Sequence, residues 1–131
     1  MASARILVVD DEGSVREVLR DILSLYHQVD EAASGAEGIE RFQQGEFDLV
    51  FTDLGMAGIS GWQVAKAVKA LRPKTPVVLV TGWGVQLDPA ELQAQGVARV
   101  LKKPFQLSEV WEIVASLLNP VSSPSRRGGP A

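Results

Sequence analysis

Short runs of consecutive apolar residues alternate along this chain with longer segments in which apolar residues recur every three or four positions. The short runs are typical of buried strands, and the longer spacing is typical of helices with one apolar face. Strands that alternate with helices favour an α/β fold, in which helices cover both faces of a parallel sheet. The pattern predicts five strands, at 6–9, 27–33, 49–52, 77–80 and 98–101, and five helices, at 15–26, 35–44, 62–72, 89–95 and 109–118.

Small polar residues at the start of three helices indicate where those helices begin. Ser34, Asp88 and Ser108 are predicted N-caps, because a side-chain oxygen there accepts a hydrogen bond from a free backbone N–H group. Segment 27–33 is more polar than the other four strands. This polarity places it at an edge of the predicted sheet.

The composition describes one globular domain. A chain of 131 residues is long enough for one core and too short for two ordinary domains. The net charge of −3 gives no basis for direct binding to nucleic acid or to an anionic membrane. The chain has no cysteine, which excludes disulfides and fits a cytoplasmic location. Residues 1–119 are predicted to fold, and residues 120–131 to form a disordered tail or a truncated linker.

Polar side chains follow four of the five predicted strands. The carboxyl ends of parallel strands meet at one edge of an α/β sheet, and this edge is where such folds place their chemistry. Each of these residues alone is typical of a solvated turn. Together they predict a site, whose residues are Asp10 and Asp11 after the first strand, Asp53 after the third, Thr81 after the fourth and Lys103 after the fifth.

The residue types at this edge point to phosphoryl transfer. Three neighbouring carboxylates repel one another unless a cation lies among them. Oxygen ligands without histidine or cysteine suit Mg²⁺ or Mn²⁺. Thr81 supplies a hydroxyl donor and Lys103 a positive charge. The combination predicts a metal-dependent transfer of a phosphoryl group onto the carboxylate of Asp53.

This ordered set of residues resembles the response-regulator receiver domain of two-component signalling, and the resemblance extends over residues 4–119. The acidic pair, the phosphoacceptor, the switch hydroxyl and the Lys-Pro pair of that family fall on Asp10 and Asp11, Asp53, Thr81, and Lys103 with Pro104.

The resemblance implies a flavodoxin-like (CheY-like) doubly wound sheet of five parallel strands, in the order 2-1-3-4-5, with five helices. It implies that Asp11, Asp53 and the backbone carbonyl of Gly55 bind Mg²⁺ directly, with Asp10 acting partly through water. The implied partner is a sensor histidine kinase or a phosphotransfer protein. Phosphorylation would switch the surface of helix four, strand five and helix five. The domain would gain and lose its own phosphoryl group and would not be a turnover enzyme.

Four positions bear on how this chain would differ from its relatives. The family usually has Pro where Ala57 stands, which predicts a looser loop after Asp53. Many receivers carry Tyr or Phe where this chain has Val100. Gly55 has no side chain to orient a water. Trp83 is predicted either to shield the phosphoryl group from hydrolysis or to face outward as part of a partner-binding surface.

Two rival functions share this architecture. A flavin or nucleotide binder would need a glycine- or hydroxyl-rich loop after the first strand, where this chain has acidic residues. A haloacid-dehalogenase-like phosphatase would have its nucleophile at the end of the first strand and its acidic pair late in the chain. The sequence leaves open whether the receiver stands alone or belongs to a hybrid histidine kinase or another larger regulator. It also leaves the downstream target open.

Overall fold

A computed structural model describes residues 3–82 and 84–118. Strands and helices alternate along the whole described chain, as the apolar pattern predicts. The strands are β1 (Arg5–Val9), β2 (Gln28–Ala32), β3 (Leu49–Asp53), β4 (Val77–Gly82) and β5 (Val97–Lys103). The helices are α1 (Gly13–Leu23), α2 (Gly35–Gln44), α3 (Gly61–Leu71), α4 (Pro89–Ala94) and α5 (Leu107–Leu118).

The five strands form one parallel sheet in the order β2-β1-β3-β4-β5. This order confirms the doubly wound fold that the resemblance implied. The polar strand β2 lies at one edge of the sheet, as predicted, and β5 lies at the other. The apolar strand β3 lies at the centre, and all five of its residues are buried.

Two apolar cores cover the two faces of the sheet, because successive side chains of a strand point to opposite sides. Helices α2 and α3 cover one face, and α1 and α5 cover the other. The strand residues of the first core include Leu7, Val9, Val50 and Leu79, and those of the second include Ile6, Val8, Leu49, Phe51, Val78 and Val80.

The helix starts agree with two of the three predicted caps. Ser34 accepts a hydrogen bond from the backbone N–H of Glu37, and Asp88 accepts one from Ala90. The cap predicted at Ser108 is wrong, since α5 already begins at Leu107. The Glu109 side chain instead accepts from the backbone N–H of Gln106 at 2.7 Å.

Helix α1 ends at Leu23, three residues before the predicted end. Two short-range hydrogen bonds tighten the chain there, from Leu25 N to Ile22 O and from Tyr26 N to Leu23 O, each at 3.3 Å. Tyr26 is 69% exposed, and its ring lies edge-on to the ring of Trp111 of α5. Tyr26 therefore continues the apolar spacing of α1 in the sequence, although the helix has already ended at Leu23.

Within residues 3–82 and 84–118, no helix combines the length and apolar character needed to cross a membrane. The predicted tail at 120–131 and the predicted shield Trp83 lie outside these described residues.

Candidate functional site

The sheet brings the predicted site residues to one edge. Asp53 is the last residue of β3, Lys103 is the last residue of β5, and Thr81 lies near the end of β4. Asp10 and Asp11 follow β1 directly. Beside them lies an open cavity of about 460 Å³, lined by Asp11, Glu12, Asp53, Leu54, Gly55, Thr81, Gly82, Val85 and Lys103.

Close backbone packing fixes Asp53 at the floor of this cavity. The next residue, Leu54, donates its backbone N–H to Val80 O at 2.9 Å and accepts from Gly61 N at 3.1 Å. The Cα of Gly61 lies against the backbone of Asp53 and Leu54, with no space for a β-carbon. The first residue of α3 is thus packed onto the end of β3, and the Asp53 side chain is only 9% exposed.

Lys103 is the cation of the site. Its Nζ lies 3.2 Å from Asp53 Oδ1, 3.6 Å from Asp10 Oδ2 and 3.5 Å from Glu12 Oε1. Burial by itself would lower the pKa of Lys103, but the neighbouring charges of Asp10 and Asp53 outweigh it and raise the pKa. The ammonium group therefore stays charged and holds carboxylates from two strand ends together.

Asp10 carries the most buried carboxylate of the site, with 1% of the residue exposed. Its Oδ1 accepts from the backbone N–H of Glu12 at 2.8 Å. Its Oδ2 is buried and has no hydrogen-bond partner among the described residues. Burial raises the pKa of Asp10, and the charge of Asp53 adds to the rise, whereas the Glu12 N–H and Lys103 act against it.

These carboxylates fit a divalent cation. Asp10, Asp11 and Asp53 each offer one oxygen, and the three oxygens lie within 4.8 Å of one another. Asp10 Oδ2 is buried and accepts no hydrogen bond from the described residues, with the Lys103 ammonium 3.6 Å away, so it is available as an anionic ligand for a hard cation. Gly55 lines the same cavity, which allows its carbonyl to serve as the predicted fourth ligand. The donor set therefore suits Mg²⁺ or Mn²⁺.

We expect the Asp10→Asn variant to be more stable than the parent without metal, by about 1 kcal/mol, because a buried charge beside two like charges is removed. The gain should shrink as the pH falls through the pKa of Asp10, since the parent then takes up a proton that relieves the same repulsion. Urea unfolding with a chelator, from about pH 7.5 to about pH 4, measures both effects. A variant less stable than the parent at the higher pH would show that the Asp10 charge carries no such cost.

Two groups of the site were not predicted from the sequence. Glu12 pairs with Lys103, and only its place directly after the two aspartates could have suggested this. The backbone N–H of Ala57 donates to Asp11 Oδ2 at 3.3 Å. This contact could not be predicted from the side chains, because its donor is a backbone group. Ala at position 57, unlike Pro, has an N–H to donate.

Comparison with known proteins agrees with this geometry. The model of the family described as "Response regulator receiver domain" matches residues 6–115, which include every predicted site residue. The chain belongs to this family. Membership favours the receiver over both rival functions, flavin binding and haloacid-dehalogenase-like hydrolysis.

Two curated relatives and one solved structure illustrate the range of similar proteins. The transcriptional regulatory protein ResD of Bacillus subtilis is 33% identical over 122 residues, which are 92% of this chain and 50% of ResD. The chemotaxis protein CheY of the same organism is 30% identical, over 88% of this chain and 98% of CheY. The crystal structure of a receiver domain protein from Clostridium thermocellum superposes with a TM-score of 0.81 and 26% identity, over 88% of this chain and 94% of that one.

The chain spans half or less of several curated relatives. It covers 50% of ResD and 24% of the response regulator protein FleR of Pseudomonas aeruginosa, but nearly all of the chemotaxis protein. The same receiver fold thus occurs both as part of longer regulators and as nearly a whole protein. Two-component signalling is the common setting of the family.

Proposed function

We propose that this receiver domain accepts a phosphoryl group on the Asp53 carboxylate, from the phosphohistidine of a sensor histidine kinase or a phosphotransfer protein. The observation that carries the proposal is the position of Asp53. Its carboxylate lies at the end of the central strand, 3.2 Å from the Lys103 ammonium and clustered with Asp10 and Asp11. Anionic nucleophile, fixed cation and divalent metal ligands are the parts that phosphoryl transfer needs.

In the proposed step, an oxygen of Asp53 attacks the phosphorus while the bond from phosphorus to the donor imidazole breaks. The product is an acyl phosphate. The donor imidazole carries a proton on its other ring nitrogen when the bond breaks, and therefore it leaves as neutral histidine. Lys103 meets the negative charge on the phosphoryl oxygens, and the Thr81 hydroxyl donates a hydrogen bond to one of them. The buried walls around Asp53 hold the nucleophile in one orientation.

Asp11, Asp53 and the Gly55 carbonyl would hold Mg²⁺ or Mn²⁺, and Asp10 would support the ion partly through water. The ion, when bound, supplies positive charge that offsets repulsion between the carboxylates and the incoming phosphate. Asp10 and Asp11 act in this account by binding and orienting, and the reacting atoms remain those of Asp53 and the donor.

The proposal is tested by incubating the protein with acetyl phosphate and Mg²⁺ and measuring its mass. A gain of about 80 Da, the mass of HPO₃, is expected, and hydroxylamine should remove it because the product is an acyl phosphate. Chelation of the metal should prevent the gain. A gain that resists hydroxylamine, or that maps to a peptide without Asp53, would contradict the proposal.

Phosphorylation is further proposed to change the surface formed by α4, β5 and α5. Thr81 of β4 is 98% buried beside the site, and β5 pairs with β4 along its whole length. A shift of the Thr81 hydroxyl towards a phosphoryl group would therefore act directly on β5. Val100 of β5 is too small to respond by a ring rotation, so the response should be a modest shift of population.

Beryllofluoride, which mimics the phosphoryl group, provides the measurement for this change. Amide NMR shifts at residues 84–105 should move together with those at the site when beryllofluoride and Mg²⁺ are added. Shifts confined to the surroundings of Asp53 and Lys103 would mean that the site is not coupled to this surface.

A further inference from the structure

The Lys103 ammonium group does not form ion pairs with all the carboxylates of the site. Within residues 3–82 and 84–118, its ammonium pairs with Asp10, Asp53 and Glu12, and no ion pair reaches Asp11. The Asp11 side chain is also the exposed member of the metal-binding cluster, whereas Asp10 and Asp53 are buried. Repulsion from the other two carboxylates therefore acts on Asp11 without a cation in direct contact with it, and its exposure leaves it free to turn towards solvent.

One backbone group opposes this outward movement. The N–H of Ala57, in the loop between β3 and α3, donates to Asp11 Oδ2 at 3.3 Å. It is the donor to the Asp11 side chain in the described part of the chain. The two residues are 46 positions apart, so the hydrogen bond joins the loop after β1 to the loop after β3.

The loop around Ala57 is held mainly by the side chain of Met56. Gly55 and Gly58 each have open space where a β-carbon would lie. Met56, by contrast, is only 7% exposed and packs in the core on the α2 and α3 face. Met56 thus fixes this segment against the core, and the backbone N–H of the next residue, Ala57, donates to Asp11.

We propose that the backbone N–H of Ala57 is a positioning group that keeps the Asp11 carboxylate inside the acidic cluster and so preorganises the divalent-cation site. The inference rests on the proposed function, since it concerns the same site. It gives a role to a departure of this chain from its family, because the proline usual at this position has no N–H. One Asp11 oxygen accepts from Ala57, which leaves the other free for a metal.

Without this donor, Asp11 would have to be ordered against repulsion when the cation binds. That ordering would weaken the binding of Mg²⁺ by about fivefold, as expected for one partly exposed hydrogen bond to a charged acceptor. The fold should be almost unaffected, because the bond lies at the surface and both loops keep their other anchors.

The decisive variant replaces the nitrogen of residue 57 by oxygen, through incorporation of lactic acid in place of alanine. This ester removes the N–H and leaves the side chain and the following chain unchanged. The same ester at Ala90 is the matched control, because it removes an alanine N–H that donates to a carboxylate, Asp88 Oδ1, outside the site. The dissociation constant for Mg²⁺ is measured on the unphosphorylated proteins by NMR titration of residues 10–13 and 53–56.

We expect the ester at residue 57 to bind Mg²⁺ about fivefold more weakly than the parent and the ester at residue 90 to bind like the parent. Equal affinities for the ester at residue 57 and the parent would overturn the inference. A second measurement needs no ester: in the metal-free parent, the amide proton of residue 57 should resonate downfield and move upfield in Asp11→Asn. If the chemical shift of this amide proton is the same in Asp11→Asn as in the parent, the inference is also overturned.

The design separates this inference from the proposed function. If the parent binds Mg²⁺ and acquires the acyl phosphate while the ester at residue 57 binds equally well, only the role of Ala57 fails. If the parent itself binds no Mg²⁺, both the site assignment and the role of Ala57 fail.

Discussion

The Asp53→Asn variant should acquire no acyl phosphate when the parent is labelled to completion by acetyl phosphate and Mg²⁺. The carboxamide is neutral and its oxygen is a poor nucleophile, so the reacting group itself is lost. The variant also loses the charged partner 3.2 Å from Lys103. We expect labelling to fall by at least about a hundredfold, equivalent to about 2.7 kcal/mol of barrier. Intact-mass measurement over time gives the ratio of rates.

Asp21→Asn is the matched control for this experiment. It makes the same chemical change on α1, at a side chain that is 66% exposed and paired with Arg20 instead of Lys103. The control should label at the rate of the parent, because it leaves the site residues unchanged. It also changes the net charge by the same amount as Asp53→Asn, so a difference between the two variants is not an effect of net charge. Equal labelling of Asp53→Asn and Asp21→Asn would place the phosphoryl group on another residue.

Gly61→Ala should cause the largest loss of stability among single-methyl additions between Asp53 and the first residue of α3. A β-carbon at residue 61 would overlap the carbonyl oxygen of Asp53 and lie 2.8 Å from Leu54 Cα and 2.9 Å from Leu79 Cδ1. Two of these neighbours are backbone atoms, which cannot turn aside. We expect a loss of about 3 kcal/mol, at the upper end for overpacking, and a fall in Tm of roughly 10 °C. Thermal and urea unfolding measure these two quantities.

Gly55→Ala adds the same methyl group six residues earlier, in the loop between β3 and α3. No atom lies within 4 Å of the added carbon there. This control should change the stability by less than about 0.5 kcal/mol. If the two variants unfold alike, α3 does not pack onto the end of β3 as closely as described.

The sequence was sufficient to predict the architecture because its signals are local and repeated. Each central strand is an unbroken apolar run, as at Leu49–Phe51, which only a sheet covered on both faces can bury. The caps at Ser34 and Asp88 are equally local, since each needs one side-chain oxygen beside free N–H groups. The grouping of Asp53 with Lys103 also followed, because parallel strands bring their carboxyl ends to one edge. The functional roles of these residues stay predictions.

Tertiary structure decided how those residues differ from one another. Asp10 and Asp11 are adjacent and chemically identical. Asp10 is nevertheless buried, with one oxygen that accepts no hydrogen bond from the described residues, whereas Asp11 is exposed. The Ala57 contact also depended on the folded chain, because its donor is a backbone group that every residue except proline possesses. Apolar periodicity is fixed by neighbours along the chain, and therefore it could be read from the sequence. The burial of one carboxylate and the partner of another are fixed by loops 46 positions apart, and only the folded chain brings those loops together.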